Sequence, residues 1–274
     1  MIDIFILILS GVLGGLLAGL LGIGGGIVFL LILSFALPSI GVPHEELVQY
    51  QLANSILGVF FATFSTSISL LKIKQFYAKQ VFFVAVGSVF FSLLALKFIV
   101  NTSWFTQDKF NIIIIILLCY MLFRIIKQIT HNSEEVERSC VSKNEYFFSG
   151  AAGGFIASLS GLGGGVVMVP ILYSVFKLNY KVAKSISLGV IMVTAFFMTL
   201  QNLVAIPQLD FKGFHVGYII PQVSFFLALG VLVGGPLGVL VGQKLSSRST
   251  TVIYSVFLLL FISKKILELM NFSF

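Results

Sequence analysis

Two glycine-rich stretches decide the fold of this chain: SGVLGGLLAGLLGIGGGIVFLLIL at residues 10–33 and SGAAGGFIASLSGLGGGVVMVPIL at residues 149–172. Aligned without a gap, they share 13 identical residues in 24 positions. Both contain the pattern G-x-G-G-G, at residues 22–26 and again at 161–165. Similarity of this length within one chain indicates an internal repeat. The sequence therefore predicts two homologous halves.

The rest of the chain is too apolar for a soluble protein. Of its 274 residues, 58% are hydrophobic and 10% are charged, whereas soluble domains average about 25% charged residues. The runs 111–123 and 250–263 contain no charge at all. A helix of about 20 apolar residues spans the hydrocarbon core of a bilayer, and continuous apolar runs favour helices over the alternating strands of a barrel. We therefore predict an all-α polytopic membrane protein.

Polar segments divide the chain into eight apolar segments. These are 4–37 (broken at 22–26), 47–71, 81–100, 110–127, 147–176 (broken at 161–165), 182–205, 214–241 and 250–269. The only long polar linker follows the fourth segment and divides the chain nearly in half. We expect a first transmembrane repeat at 1–130, a cytoplasmic linker at 131–145 and a second transmembrane repeat at 146–274.

The positions of Lys and Arg predict how the halves lie in the membrane. Four loops are rich in these residues: 72–80, 124–145, 177–184 and 244–248. Three loops are poor in them: 38–46, 100–109 and 205–213. Cytoplasmic loops carry an excess of Lys and Arg. All four basic loops fall on the cytoplasmic side if each glycine-broken segment returns to the side from which it entered.

Each half then has three ordinary crossings, and an odd number inverts the second half relative to the first. We therefore expect inverted-topology repeats, each a glycine-broken helix pair plus three transmembrane helices, a common plan among secondary transporters. Eight simple spans remain the alternative, since helix length alone allows them. Lys264 and Lys265 are exceptions on the outer side, and we expect them to snorkel from the last helix.

The G-x-G-G-G pattern predicts a break in each helix. Glycine costs about 1 kcal/mol relative to alanine in a helix interior, and it adopts the positive φ angles that other residues avoid. Two half-helices would then meet near mid-membrane, and the N-terminus of the second is a ready site for an anion. The alternative is that glycines only allow close helix packing, which we expect of Gly11, Gly15 and Gly19.

The second segment of each half adds neutral polar residues at depth. Hydroxyls and amides suit an oxyanion that needs hydrogen-bond donors without a permanent countercharge, although hydrogen bonding between helices is the alternative. The predicted substrate-binding residues are Gly22, Gly24, Gly25, Gly26, Asn54, Ser55, Gly161, Gly163, Gly164, Gly165, Ser185 and Ser187.

The repeated G-x-G-G-G segment, Pro170 five residues beyond Gly165, and the pattern Ala183-x-x-x-Ser187 resemble the TauE/SafE sulfite exporter family over essentially the whole chain. In the first half Leu31 replaces the proline. The resemblance implies a multi-pass transporter of the cell inner (plasma) membrane. It also implies a sulfur-containing anion as substrate: sulfite, a sulfonate such as sulfoacetate, thiosulfate or a related organic acid.

Other function classes find little support. The three histidines, at 44, 131 and 215, are scattered, and Cys119 and Cys140 lack metal-ligand spacing, so we predict no catalytic residues, no metal and no cofactor. The net charge of +7 lies in the loops, which argues against nucleic acid as a partner. The expected partners are a small anion and the lipid bilayer, and no homo-oligomer is indicated. The alternative function is a membrane-embedded accessory protein or enzyme in sulfur or metal handling.

Overall fold

A computed structural model describes residues 4–102, 104–130, 141–209, 212–244, 255–256 and 259–266. In these ranges all regular structure is helical, apart from one isolated bridge between Val216 and Ile219. The all-α prediction is confirmed. Residues 131–140 of the predicted linker and half of the last predicted segment lie outside the described residues.

The helices follow the predicted segments closely. In the first half they are α1 (Ile4–Leu21), α2 (Gly26–Ser39), α3 (Leu47–Lys72), α4 (Ala78–Ala95) and α5 (Gln107–Thr130). In the second half they are α6 (Lys143–Ser160), α7 (Gly165–Pro170), α8 (Tyr180–Val204) and α9 (Pro221–Lys244), and residues 259–266 are helical as well. Short helical turns precede α3 (His44–Glu46) and extend α4 (Leu96–Val100) and α7 (Ile171–Val175).

Five helices of the described chain are long and apolar enough to cross a membrane. They are Ile4–Leu21, His44–Lys72, Ala78–Val100, Tyr180–Val204 and Pro221–Lys244. Large apolar side chains such as Phe82, Phe90 and Phe98 on one of them are exposed, as expected of surfaces that face lipid. The protein is therefore a multi-pass membrane protein. The helix α1 by itself meets the length requirement for a span. The sequence predicts that the whole segment 4–37 returns at the glycine break to the side from which it entered.

Both predicted helix breaks are present. The first lies between Leu21 and Gly26 and the second between Ser160 and Gly165. Three glycines in each break have positive φ: Gly22 (79°), Gly24 (87°), Gly25 (74°), Gly161 (66°), Gly163 (93°) and Gly164 (73°). Because L-residues rarely adopt this conformation, glycine is the residue that permits both breaks.

The chain folds back at each break. A Cβ atom built on Gly25 would collide with the carbonyl oxygen of Gly14, and one built on Gly164 would collide with that of Gly153. Gly14 and Gly153 lie seven residues before the ends of α1 and α6, which is about 10 Å back along each helix. The half-helix after each break therefore begins beside the middle of the helix before it.

The helices α3 and α8 run antiparallel. The Ser185 hydroxyl, near the start of α8, donates to the carbonyl of Gln75, just past the end of α3. The rings of Phe60 and Phe196 lie 5.7 Å apart near the middle. Inverted repeats require equivalent helices to run in opposite directions, whereas eight simple spans would make them parallel. The duplication and its inversion stay predictions, and this arrangement supports them.

Small residues allow α1 and α9 to pack closely. A Cβ atom built on Gly19 would lie 2.6 Å from the carbonyl oxygen of Gly235, and one built on Gly15 would lie 2.8 Å from the backbone nitrogen of Gly235. Gly11 contacts the backbone of α9 one turn earlier. The packing role expected of Gly11, Gly15 and Gly19 is confirmed.

The start of α9 differs from the prediction. The apolar segment was expected to be helical from residue 214, but the helix begins at Pro221. Residues 214–220 form a turn in which Gly217 has φ of 56°. Proline favours the first helical position because it lacks an N–H group that would be unpaired there. Hydrophobicity alone therefore placed the helix start too early.

The expectation that Lys265 snorkels is wrong. Its side chain is fully buried, and its amino group donates to Asn111 Oδ1 at 3.1 Å. The ring of Phe110 lies 5.3 Å away, so the ammonium group also faces an aromatic surface. Lys264 is half-buried, and its amino group donates to the carbonyl of Leu31 at 2.8 Å. Both lysines fasten the last described helix to its neighbours.

Candidate functional site

The two breaks contact each other directly. A Cβ atom built on Gly26 would lie 2.6 Å from the carbonyl oxygen of Gly161. Reciprocally, one built on Gly165 would lie 2.6 Å from the carbonyl oxygen of Gly22. All four residues are buried. The breaks therefore meet backbone to backbone, and any side chain at Gly26 or Gly165 would separate them.

Unpaired backbone N–H groups lie at this contact. The first N–H groups of a helix have no partner within the helix. In the described chain, the N–H groups of Gly25 and Gly26, like those of Gly164 and Gly165, find no backbone acceptor. The dipole of a helix adds roughly half a positive charge at this end. The arrangement can therefore offer hydrogen bonds and positive potential to an anion without a basic side chain.

Each break is fastened to the opposite half by one serine. The Ser55 hydroxyl of α3 donates to the carbonyl of Gly161 at 3.0 Å, and the Ser187 hydroxyl of α8 donates to that of Gly22 at 3.2 Å. Each hydroxyl has a single proton to donate. To donate to an anion, either serine would first have to release its glycine carbonyl.

Two apolar side chains cover both breaks. Cγ1 of Val59 lies 3.0 Å and 2.9 Å from Cβ atoms built on Gly24 and Gly163. Cγ2 of Ile191 lies 3.5 Å and 3.0 Å from the same two positions. Such a cover keeps water from the breaks, and electrostatic interactions are stronger in an environment of low dielectric constant.

Asn54 and Ser185 lie away from the breaks. The Asn54 amide nitrogen donates to the carbonyls of Tyr50 (2.8 Å) and Tyr218 (3.1 Å). Its oxygen accepts from the Ile220 N–H (2.9 Å) and the Ser224 hydroxyl (2.7 Å). Asn54 thus uses one donor within α3, and its other donor and both lone pairs hold the start of α9. The assignment of Asn54 and Ser185 as ligands stays a prediction, while the other ten predicted residues meet at the breaks.

A buried carboxylate lies at the start of α3. Glu46 is 6% exposed and accepts hydrogen bonds from the N–H groups of Gln208 (2.8 Å) and Leu209 (3.1 Å). It also accepts from the Tyr218 hydroxyl at 2.9 Å. Burial raises the pKa of Tyr218, and the bond to Glu46 raises it further, so the phenol keeps the proton that it donates. Glu46 therefore fixes the loop after α8 to the start of α3.

A groove of about 610 Å³ opens between the ends of α4 and α8. Its polar lining includes Lys97, Asn101, Gln201 and Gln208. Lys97 was not among the predicted site residues, although a lone lysine within the apolar segment 81–100 was a signal for it. Within the described residues, no group of three or more His, Cys, Asp or Glu side chains could hold a metal ion.

Comparison with known proteins places the chain in a family. Residues 7–264 match the family described as Sulfite exporter TauE/SafE. A probable membrane transporter protein of Methanocaldococcus jannaschii is 28% identical, with 91% of this chain and 90% of that protein covered. One of Bacillus subtilis is 24% identical, with 93% and 94% covered. No solved structure matches the chain. Both relatives' names describe a membrane transporter rather than an enzyme, and the chain belongs to the TauE/SafE sulfite exporter family.

Proposed function

We propose that this protein is a secondary transporter that moves a small anion across the cell membrane by alternating access. The anion is held by the N-termini of the half-helices that follow the two G-x-G-G-G breaks. The observation that carries the proposal is the meeting of two buried breaks, each with unpaired N–H groups. The name of the family supports a sulfur-containing oxyanion or organosulfonate, such as sulfite, sulfoacetate or thiosulfate.

The chemistry of the breaks fits such an anion. A sulfur oxyanion presents several acceptor oxygens around one centre, and backbone N–H groups at helix N-termini bind anions of this kind. Donors from Gly25 and Gly26 on one side and from Gly164 and Gly165 on the other can share these oxygens. The buried position strengthens every such hydrogen bond relative to water.

The serine contacts support a cycle of alternating access. Ser55 of the first half holds the second break, and Ser187 of the second half holds the first. In inverted-repeat transporters, access alternates as one repeat moves against the other around a fixed site. Release of one serine contact while the other is kept would open the site from one side only.

Uptake into liposomes tests the proposal. Purified protein should accumulate radiolabelled sulfite or a small sulfonate, and Gly24→Leu or Gly163→Leu should abolish the uptake because each places a side chain between the breaks. Gly41→Leu is the matched control, since Gly41 has a similar φ of 85° with no atom near its Cβ position. Uptake equal to that of empty liposomes, across a panel of sulfur oxyanions and carboxylates, would contradict the proposal.

A further inference from the structure

Three positions on α3 and three on α8 contact the breaks with the same spacing. They are Leu52, Ser55 and Val59 on α3, and Lys184, Ser187 and Ile191 on α8. The two serines make the same kind of hydrogen bond, and Val59 and Ile191 make the same kind of cover. The remaining pair, Leu52 and Lys184, differs in chemistry, because leucine is apolar and lysine carries a charge.

Leu52 and Lys184 occupy the same place beside opposite breaks. A Cβ atom built on Gly161 would lie 2.7 Å from Leu52 Cδ2, and one built on Gly22 would lie 2.6 Å from Lys184 Cγ. The aliphatic stem of Lys184 thus packs against Gly22 in the way that the branched end of Leu52 packs against Gly161. The amino group of Lys184 extends further, to the carbonyl of Leu20, whereas Leu52 has no polar group that could reach the equivalent carbonyl.

The ammonium group of Lys184 is held at the end of α1. It is half-buried and donates to the carbonyl of Leu20 at 2.8 Å, two residues before Gly22. The C-terminal end of a helix carries partial negative charge and attracts a cation. Among the described residues, the charged side chain that acts on Lys184 is another cation, Lys181. A helix carbonyl offers only partial negative charge, so an anion at the neighbouring break would be a stronger partner.

We propose that Lys184 captures the anion on one face of the membrane and delivers it to the first break. In this step the ammonium group leaves the Leu20 carbonyl and donates to an oxygen of the anion. Leu52 provides no such step at the second break, so capture is one-sided. The side is that of the basic loops, because Lys184 belongs to the basic stretch 177–184 and its neighbour Ser185 contacts Gln75. This inference rests on the proposed function and adds an asymmetry to it: the anion binds with higher affinity from the cytoplasmic face than from the opposite face.

The test compares the two faces of the membrane with four variants. Initial uptake of radiolabelled sulfite is measured in right-side-out and in inverted vesicles, and a cysteine at position 177 reports which face carries the basic loops. Lys184→Met removes the charge and keeps a long side chain, whereas Lys184→Arg keeps the charge. Lys181→Met is the matched control, since Lys181 is exposed one turn earlier. Leu52→Lys places a charge beside the second break.

Lys184→Met should raise KM about tenfold to a hundredfold from the basic face, because a hydrogen bond to a charged group contributes about that much. From the other face KM should be unchanged, Lys184→Arg should behave like the parent, and Leu52→Lys should lower KM from the opposite face. Equal KM values for Lys184→Met and the parent would overturn the inference, as would equal effects from both faces. If Lys184→Met does not fold, Leu52→Lys becomes the deciding variant. An unchanged KM of Leu52→Lys from the opposite face would then overturn the inference. Absence of uptake by the parent protein would instead contradict the proposed function.

Discussion

The glycines of the breaks are required for two different physical reasons. Gly24 and Gly163 have φ near 90°, a conformation that costs an L-residue roughly 1–2 kcal/mol. Gly26 and Gly165 begin their helices and do not have positive φ, but their Cβ positions lie 2.6 Å from a carbonyl oxygen of the opposite break. Backbone conformation is the reason that Gly24 and Gly163 must be glycine, whereas lack of space is the reason for Gly26 and Gly165.

Gly26→Ala isolates the effect of space. The substitution requires no unfavourable φ, so any loss comes from separation of the two breaks. We expect it to abolish anion uptake in liposomes and to lower the melting temperature in detergent. Gly41→Ala should cost about 1–2 kcal/mol of stability through φ alone and leave uptake intact. Normal uptake by Gly26→Ala would show that the breaks need not touch.

Asn54→Ala separates a positioning role from a binding role. The substitution removes four hydrogen bonds and leaves the buried N–H group of Ile220 without its acceptor. A buried group left unpaired costs about 1–3 kcal/mol, so the melting temperature should fall clearly, while KM for the anion changes less than about twofold. Ser69→Ala is the control on the same helix, since that hydroxyl bonds only within α3. A large rise in KM with unchanged stability would instead support Asn54 as a ligand.

At the scale of elements, the antiparallel pair α3 and α8 organises the site. Each of these helices covers both breaks with one apolar side chain and fastens the opposite break with one serine. The start of α8 lies beside the end of α3, through Ser185 and Gln75. At the other end Tyr218, which follows α8, bonds to Glu46 at the start of α3.

Disulfide formation tests this pairing. In a background of Cys119→Ser and Cys140→Ser, the pair Gln75→Cys and Ser185→Cys should cross-link under mild oxidation, since the two residues are in contact. The pair Gln75→Cys and Asn202→Cys should not cross-link, because Asn202 lies near the opposite end of α8. The reverse pattern would mean that the two helices run parallel.

The elements were predictable from sequence where local chemistry decides them. Clustered glycines are poor in a helix and free to adopt positive φ, so the breaks at 22–26 and 161–165 could be placed within a residue. The start of α9 could not be placed in this way, because residues 214–220 are mostly apolar whether or not they form a helix. The helix start is fixed there by the hydrogen bonds of Asn54 with Tyr218, Ile220 and Ser224. These bonds join residues more than 160 positions apart in the chain.

The site itself was only partly predictable. The glycines, Ser55 and Ser187 follow from the repeat and from the depth of the polar residues. Lys184 was assigned to a basic loop, since sequence alone cannot tell that its stem lies on Gly22. The buried state of Glu46 depends on Gln208 and Leu209, whose N–H groups reach it only in the folded chain.

At the scale of the whole molecule, the basic loops 72–80 and 177–184 lie at one end. Gln75 and Ser185 meet there, whereas Glu46 and Gln208 meet at the other end, near loops poor in Lys and Arg. This grouping agrees with the expected inverted repeats, in which both breaks enter and return. It also leaves the groove beside Lys97 at the end opposite to Lys184.

Cysteine labelling of intact cells tests this topology. Impermeant reagent should label cysteines at Ser39 and Trp104, which are exposed near the poor loops. Cysteines at Lys74 and Lys177, exposed beside the basic loops, should react only after the membrane is permeabilised. Labelling of position 177 from outside, with 74 protected, would favour eight simple spans. Position 177 therefore distinguishes the two arrangements.

The position of a bound anion tests most directly whether the two breaks hold the substrate. Selenite is a close analogue of sulfite, and the anomalous signal of its selenium locates it without ambiguity in a crystal of the protein. If the breaks hold the anion, one peak should lie between them, with oxygens within hydrogen-bond distance of N–H groups from Gly25 or Gly26 and from Gly164 or Gly165. A peak confined to the groove beside Lys97 and Gln201, with none at the breaks, would contradict this expectation.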